Sequence, residues 1–383
     1  MTDRFETLAV HAGAEPDPAT GAVVPAIQMS TTFKQDGVGG LRDGFEYGRS
    51  DNPTRRALER TIAMLEGATH GIAFASGLAA THAIFGLLDP GERIVMSDDV
   101  YGGTARLALR VMGRYGVTTD AVDLSDLDAV AAALVGDRPA RMVWIETPTN
   151  PLLKVVDISA IARLAATAGA MTVVDNTFAT PYLQRPLDLG ADLALHSATK
   201  YLGGHSDVIG GLVATRSGEL DEQLRFLQNA QGGVPSPFDA WLLMRGLRTL
   251  AVRMERACAN AGLIAVWLTG RPEVERVHYP GLADHPQAEL VGRQMRLPGA
   301  MVSFELRGGE AAARSVAGAT RLFTLAESLG AVESLIEVPS VMTHASVAGS
   351  AMEVPPSLVR LSVGIESVDD LIADLEAAFG AAG

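Results

Sequence analysis

Short apolar runs alternate with helix-periodic stretches between Gly71 and Thr215, at 72–74, 93–96, 141–145, 171–174, 192–195 and 211–214. Strands of a parallel sheet are buried on both faces and read as continuous apolar runs, with helices as the crossovers. The pattern therefore predicts α/β architecture with a mostly parallel central sheet. Asn52-Pro53 predicts a helix start, and Leu58, Ile62 and Leu65 recur on one face before Gly67. Past Pro237 a long helical region that includes Trp241, Leu242 and Arg245 reads as a connector. Beyond it, strand patterns at 301–306 and 358–365 and a helix pattern at 367–379 predict a smaller α+β domain. The opening fifty or so residues carry Gly, Pro and Thr clusters with little periodicity, which predicts an extended arm. The expected organisation is an arm over 1–55, an α/β domain over 56–245 and a C-terminal α+β domain over 246–383.

Composition narrows the function more than the fold. A chain of 383 residues with 48% apolar content can bury two cores. A formal charge of −14, without a basic run, argues against nucleic acid as a partner. The single Cys258 has no internal disulfide partner, and no charged leader or apolar span is apparent, so a cytoplasmic, membrane-free setting is expected. Cys258 sits in an amphipathic helical stretch and reads as an inert buried thiol. The eight histidines lack zinc-ligand spacing, and no metal is expected.

Candidate chemistry gathers just after the predicted strands. Ser76, Tyr101, Glu146, Asn150, Asp175, Ser197 and Lys200 all fall there, where ligands of open α/β sheets bind. Lys200, in the run Ser197-Ala198-Thr199-Lys200-Tyr201-Leu202-Gly203-Gly204, can form a Schiff base with an aldehyde cofactor. Asp175 closes Thr172-Val173-Val174 and can pair with a pyridinium nitrogen, while Ser197 and Thr199 can donate to a phosphate. Each demand is one that pyridoxal phosphate makes. Ser76-Gly77 opens a helix whose free amides suit an anion, and Arg49 offers a charged fork, although Ser76-Gly77 alone also reads as an ordinary helix cap. Tyr101 is equally readable as core or as a stacking ring and proton carrier. Arg360 lies on the strand face opposite Val359, Leu361 and Val363, either as a clamp for an amino-acid carboxylate or as a surface cation. A dinucleotide-binding oxidoreductase is disfavoured, because no strand runs into Gly-x-Gly-x-x-Gly and no Walker lysine occurs.

Taken in order, Tyr47-Gly48-Arg49 with Asn52-Pro53-Thr54, Ser76-Gly77-Leu78-Ala79-Ala80, Tyr101-Gly102-Gly103-Thr104, Glu146-Thr147-Pro148-Thr149-Asn150-Pro151, Asp175-Asn176-Thr177 and the Lys200 run span nearly the whole chain. Together they resemble the Cys/Met-metabolism family of pyridoxal-phosphate enzymes. The resemblance implies a fold of the aspartate aminotransferase-like type I. It makes Lys200 the Schiff-base lysine, Asp175 the pyridinium partner, Tyr101 the stacking ring, and Ser76, Gly77, Leu78, Ser197 and Thr199 the phosphate cradle, with Thr177 also at the cofactor. Leu78 stands where methionine is usual. Tyr47 and Arg49 are implied to reach the phosphate of a neighbouring subunit, so active-site-sharing dimers building a homotetramer are expected. Asn150, Ser328 and Arg360 are implied to hold the substrate carboxylate, and Glu327 to meet the distal amino group of cystathionine or cysteine. Gly103, where methionine γ-lyases usually carry cysteine, and Glu327 both point away from methionine. The expected activity is γ-elimination from L-cystathionine to cysteine, 2-oxobutanoate and ammonia, as in cystathionine γ-lyase. The alternative is γ-replacement on O-acylhomoserine, as in cystathionine γ-synthase. Leu227-Gln228-Asn229 and Val234-Pro235-Ser236-Pro237-Phe238-Asp239 look closer to lyases, whereas the stretch between Ser346 and Leu358 departs from both patterns.

Overall fold

The structure is a computed structural model that describes residues 3–136, 138–344 and 353–382. The first sheet contains seven strands: β1 His70–Phe74, β2 Arg93–Ser97, β3 Thr118–Val122, β4 Met142–Glu146, β5 Met171–Asp175, β6 Leu193–Ser197 and β7 Gly211–Thr215. Their spatial order is β1-β7-β6-β5-β4-β2-β3. The strands from β2 to β6 pair in parallel, whereas β7 runs antiparallel to both β6 and β1. All six apolar runs form strands. β3 was not expected from the sequence, and the reason is physical: it is an edge strand with half-exposed Thr118 and Thr119, so it carries no apolar run.

The Pro53–Glu66 helix begins where Asn52 caps it, accepting from the amides of Thr54 and Arg55, and ends at Gly67 in a left-handed conformation. Leu58, Ile62 and Leu65 are fully buried against the core. The N-terminal region differs in one respect from a uniform arm. Phe5–His11 is a helix, Ala9 is buried in the main core, and Phe5 meets the Tyr182 ring edge-on at 5.1 Å.

The second sheet joins β8 Val274–His278, β9 Met301–Leu306, β10 Thr324–Leu325, β11 Leu335–Glu337 and β12 Leu358–Ser362, in the order β10-β11-β12-β9-β8. Helices Pro237–Leu247 and Leu250–Thr269 lie between the two sheets in sequence. A single apolar cluster takes in Tyr201 and Leu202 beside Lys200, Met254 and Ala261 of the longer helix, and Phe304 and Leu361 of the second sheet. That shared core fixes the second sheet against the Lys200 loop. Cys258 is buried within it, and burial pushes its thiol up to about 12, which leaves it inert at neutral pH. No described helix is long and apolar enough to cross a membrane.

Candidate active site

Because β2, β4, β5 and β6 are parallel, their carboxyl ends open on one edge of the sheet. Glu146, Asp175 and Ser197 are the last residues of β4, β5 and β6. A cavity of about 330 Å³ lies there. Its walls bring together Ser76, Gly77, Leu78, Tyr101, Asn150, Asp175, Thr177, Ser197, Thr199 and Lys200 with Glu327, Ser328 and Arg360 from the C-terminal half.

On the floor of the cavity, Asp175 is 8% exposed and accepts from the Thr177 amide at 3.1 Å and hydroxyl at 2.5 Å. Burial raises its pKa, and the two Thr177 bonds pull in the opposite direction. A carboxylate so placed gains most from a cation, as the protonated ring nitrogen of pyridoxal phosphate is. Thr177 also accepts from the Ser197 amide at 2.8 Å, which ties the ends of β5 and β6 together.

An anion has a matching place nearby. The Ser76 hydroxyl accepts from the Ala79 amide at 3.0 Å, which leaves the amides of Gly77 and Leu78 in the first turn of the Gly77–Phe85 helix for a ligand. Ser76 is thus both a helix cap and a cavity residue. A Cβ at position 77 would stand 2.9 Å from Ser197 Cβ, so only glycine lets this helix end approach β6 so closely. Amine, carboxylate and anion cradle together fit pyridoxal phosphate.

Lys200 Nζ donates to Ser328 Oγ at 2.7 Å. Burial, and next the Arg360 charge, lower the lysine to about 8. About one tenth is therefore free amine at pH 7, the form that a nucleophile or base requires. Ser328 itself stands at φ +104°, a region that residues with a side chain rarely adopt, so packing holds it there. Burial raises the Tyr101 phenol, which makes it a proton donor rather than a base near neutrality.

Arg360 is 2% exposed and is no surface cation. Its Nη1 donates to Asn150 Oδ1 at 2.7 Å and lies 3.0 Å from Glu337 Oε1, and its Nη2 donates to the Ser328 carbonyl at 2.9 Å. Glu337 faces it across the β11–β12 pair and is itself 1% exposed. Thr343, on the cavity wall, donates to Glu337 Oε1 at 2.7 Å. Burial raises the Glu337 pKa against the pull of Arg360. Sequence reasoning missed Glu337, Thr343 and His344. Only the β11–β12 register reveals Glu337, and the other two lie in a stretch with no periodic signal. His344 is buried and donates from Nε2 to the Asn150 carbonyl at 3.1 Å, and burial lowers it to about 4, so it is neutral.

Tyr47 and Arg49 stand outside this cavity. Tyr47 is exposed, and Arg49 Nη1 donates to the Asn229 carbonyl at 2.6 Å and its Oδ1 at 2.8 Å. The two segments that looked lyase-like also lie away from it. Gln228 Nε2 donates to the Ala73 carbonyl at 2.6 Å, and Ser236 caps the Pro237–Leu247 helix. Of the atypical stretch between Ser346 and Leu358, residues 346–352 lie outside the described residues.

Comparison with known proteins agrees with this chemistry. The family described as Cys/Met metabolism PLP-dependent enzyme matches residues 6–380. A cystathionine gamma-synthase of Mycobacterium tuberculosis is 57% identical over 98% of this chain and 96% of its own. A cystathionine beta-lyase of Lactococcus lactis is 51% identical over 98% of each chain. The crystal structure of metB from Corynebacterium glutamicum superposes with a TM-score of 0.97 at 53% identity, covering 99% of this chain and 98% of that one.

Proposed function

The chain belongs to the Cys/Met metabolism PLP-dependent enzyme family and depends on pyridoxal phosphate, and from that premise we propose that it is a cystathionine γ-synthase, replacing the acyloxy group of an O-acylhomoserine by the thiol of cysteine. The observation that carries this reading is the 57% identity to a named γ-synthase over nearly the full length of both chains. The two segments that suggested a lyase lie off the cavity wall, and one of them meets Arg49 through Asn229.

When bound, the cofactor contributes an aldehyde that condenses with amines and a ring that draws electrons from the substrate Cα. The chain's own residues do the rest in this reading. Lys200 Nζ would hold the cofactor through its aldehyde and would move protons at the substrate Cα and Cβ. Asp175 would pair with the protonated ring nitrogen. Ser76, Gly77, Leu78, Ser197 and Thr199 hold the phosphate. Arg360, set by Asn150 and Ser328, would grip the substrate carboxylate, and Tyr101 would lie against the cofactor ring with its phenol donating a hydrogen bond to the departing acyloxy group. Glu327, exposed at the cavity mouth, meets the amino group of the incoming cysteine. Tyr47 and Arg49, in the arm of residues 1–55, complete the phosphate site of a neighbouring subunit, which makes a dimer the smallest active unit and a tetramer the assembly.

A second reading, cleavage of cystathionine, is favoured by the 51% identity to a cystathionine beta-lyase. Product analysis decides between them. Incubation with O-acylhomoserine plus cysteine should form the thioether faster than cystathionine alone releases keto acid. The opposite ratio rejects the synthase reading.

A further inference from the structure

We propose that Glu146 is a positioning residue whose one carboxyl group sets Tyr101 and Asn150 relative to each other, so that the ring over the cofactor and the grip on the substrate carboxylate form a single unit. The roles of Tyr101 and Asn150 rest on the reading above, whereas the bonds themselves do not.

Glu146 ends β4 and is 4% exposed. Its Oε2 accepts from the Tyr101 amide at 3.0 Å and its Oε1 from the Asn150 amide at 3.0 Å. The two amides come from different connections. Tyr101 follows β2 and opens the short Gly102–Arg106 helix, where its own amide has no intrahelical acceptor. Asn150 lies in the connection between β4 and the Ile158–Ala168 helix. A backbone donor buried without an acceptor is costly, so each loop is held where its amide finds a Glu146 oxygen.

The consequences extend in both directions. On one side, the Tyr101 ring rests against Gly103, where a Cβ would come within 2.4 Å of Tyr101 Cε1, so the ring follows its anchored backbone. On the other, Asn150 is held at its amide by Glu146, at its carbonyl by His344 and at Oδ1 by Arg360. Tyr101, Glu146, Asn150 and Arg360 thus form a continuous hydrogen-bonded path from the end of β2 to β12 of the second sheet. The residue type is demanded by the donors. Two N–H groups need two acceptor oxygens on one side chain; glutamine has one and would point an N–H at an N–H. Aspartate has the oxygens but is shorter by one carbon–carbon bond, about 1.5 Å, and reaches only one amide.

The test uses the cofactor-loaded enzyme and compares wild type with Glu146→Gln and Glu146→Asp. Amide hydrogen exchange, resolved by fragmentation, should show segments containing Tyr101 and Asn150 exchanging at least about 10-fold faster in Glu146→Gln, with β8 and β9 unchanged. Glu146→Asp should release one of the two. In the variant that folds, KM for the amino-acid substrate should rise about 10-fold with a smaller fall in kcat, and the visible absorbance band of the bound cofactor should shift. Unchanged exchange at both segments in either variant overturns the proposal. So does faster exchange at both with KM and the absorbance band unmoved, since that pattern belongs to a residue that only supports the fold. The exchange measurement needs no substrate, so a wild-type enzyme that makes no cystathionine would overturn the synthase reading and leave this result standing.

Discussion

The two walls of the cavity are built in different ways. The wall at the ends of β4, β5 and β6 is made largely by backbone: strand termini, a helix N-terminus and a glycine at position 77, with Asp175 and Glu146 satisfied by main-chain and hydroxyl donors. The wall from the second sheet is made by buried side-chain charge, with Arg360 held between Glu337, Asn150 and the Ser328 carbonyl, and Ser328 in a strained conformation. A cradle of helix N-terminal amides keeps its shape when one capping side chain changes. Charge networks do not, because removing one member leaves its partner buried and unpaired.

The largest effect breaks the covalent centre that both walls serve. Lys200→Ala should lose at least about 1,000-fold in turnover. Borohydride reduction followed by peptide mapping should attach the cofactor to the wild-type Lys200 peptide and to none in the variant. Next comes the charged wall. Arg360→Leu should lower kcat/KM about 100-fold and destabilise the fold by about 3–5 kcal/mol by stranding Glu337. Denaturant unfolding of Arg360→Leu with Glu337→Leu should recover most of that stability while activity stays lost. If the double variant is no more stable than the single, the second wall is not held by paired charge.

A pH series addresses the region between the walls. Burial and Arg360 penalise the protonated lysine, so the free amine of Lys200 predominates above about pH 8. Cofactor uptake by the cofactor-free protein should therefore accelerate about 10-fold per pH unit below that point and level off above it, followed by stopped-flow absorbance. Arg360→Leu removes the nearby cation and should move the midpoint upward. The smallest effect is at the backbone wall. Ser76→Ala removes the bond to the Ala79 amide and should cost about 1 kcal/mol in unfolding experiments, with only a several-fold loss in cofactor affinity.

The backbone wall was legible because its parts are contiguous. Asp175 closes an apolar run, Lys200 follows another, and Ser76-Gly77 stands between a strand and a helix, so position along the chain placed each of them at the sheet edge. The charged wall was half legible. Arg360 was visible as a polar residue on an apolar strand, yet a clamp and a surface cation were equally readable until its burial was seen. Glu337 left no signal because one carboxylate in a short strand of three residues has no period. β3 escaped for the related reason that an edge strand need not be apolar.

By itself the amino-acid sequence determined the alternation of buried strands and helices, the helix caps at Asn52 and Gly67, and the cofactor chemistry of Lys200 and Asp175. These follow from local periodicity and from residue types that answer a cofactor's demands one at a time. Only the tertiary structure decided that Glu337 lies against Arg360, that Glu146 joins Tyr101 to Asn150, and that the lyase-like segments lie off the cavity wall. Such pairings depend on strand register and on loops that meet across two sheets, and contacts between residues far apart in the chain leave no pattern along it.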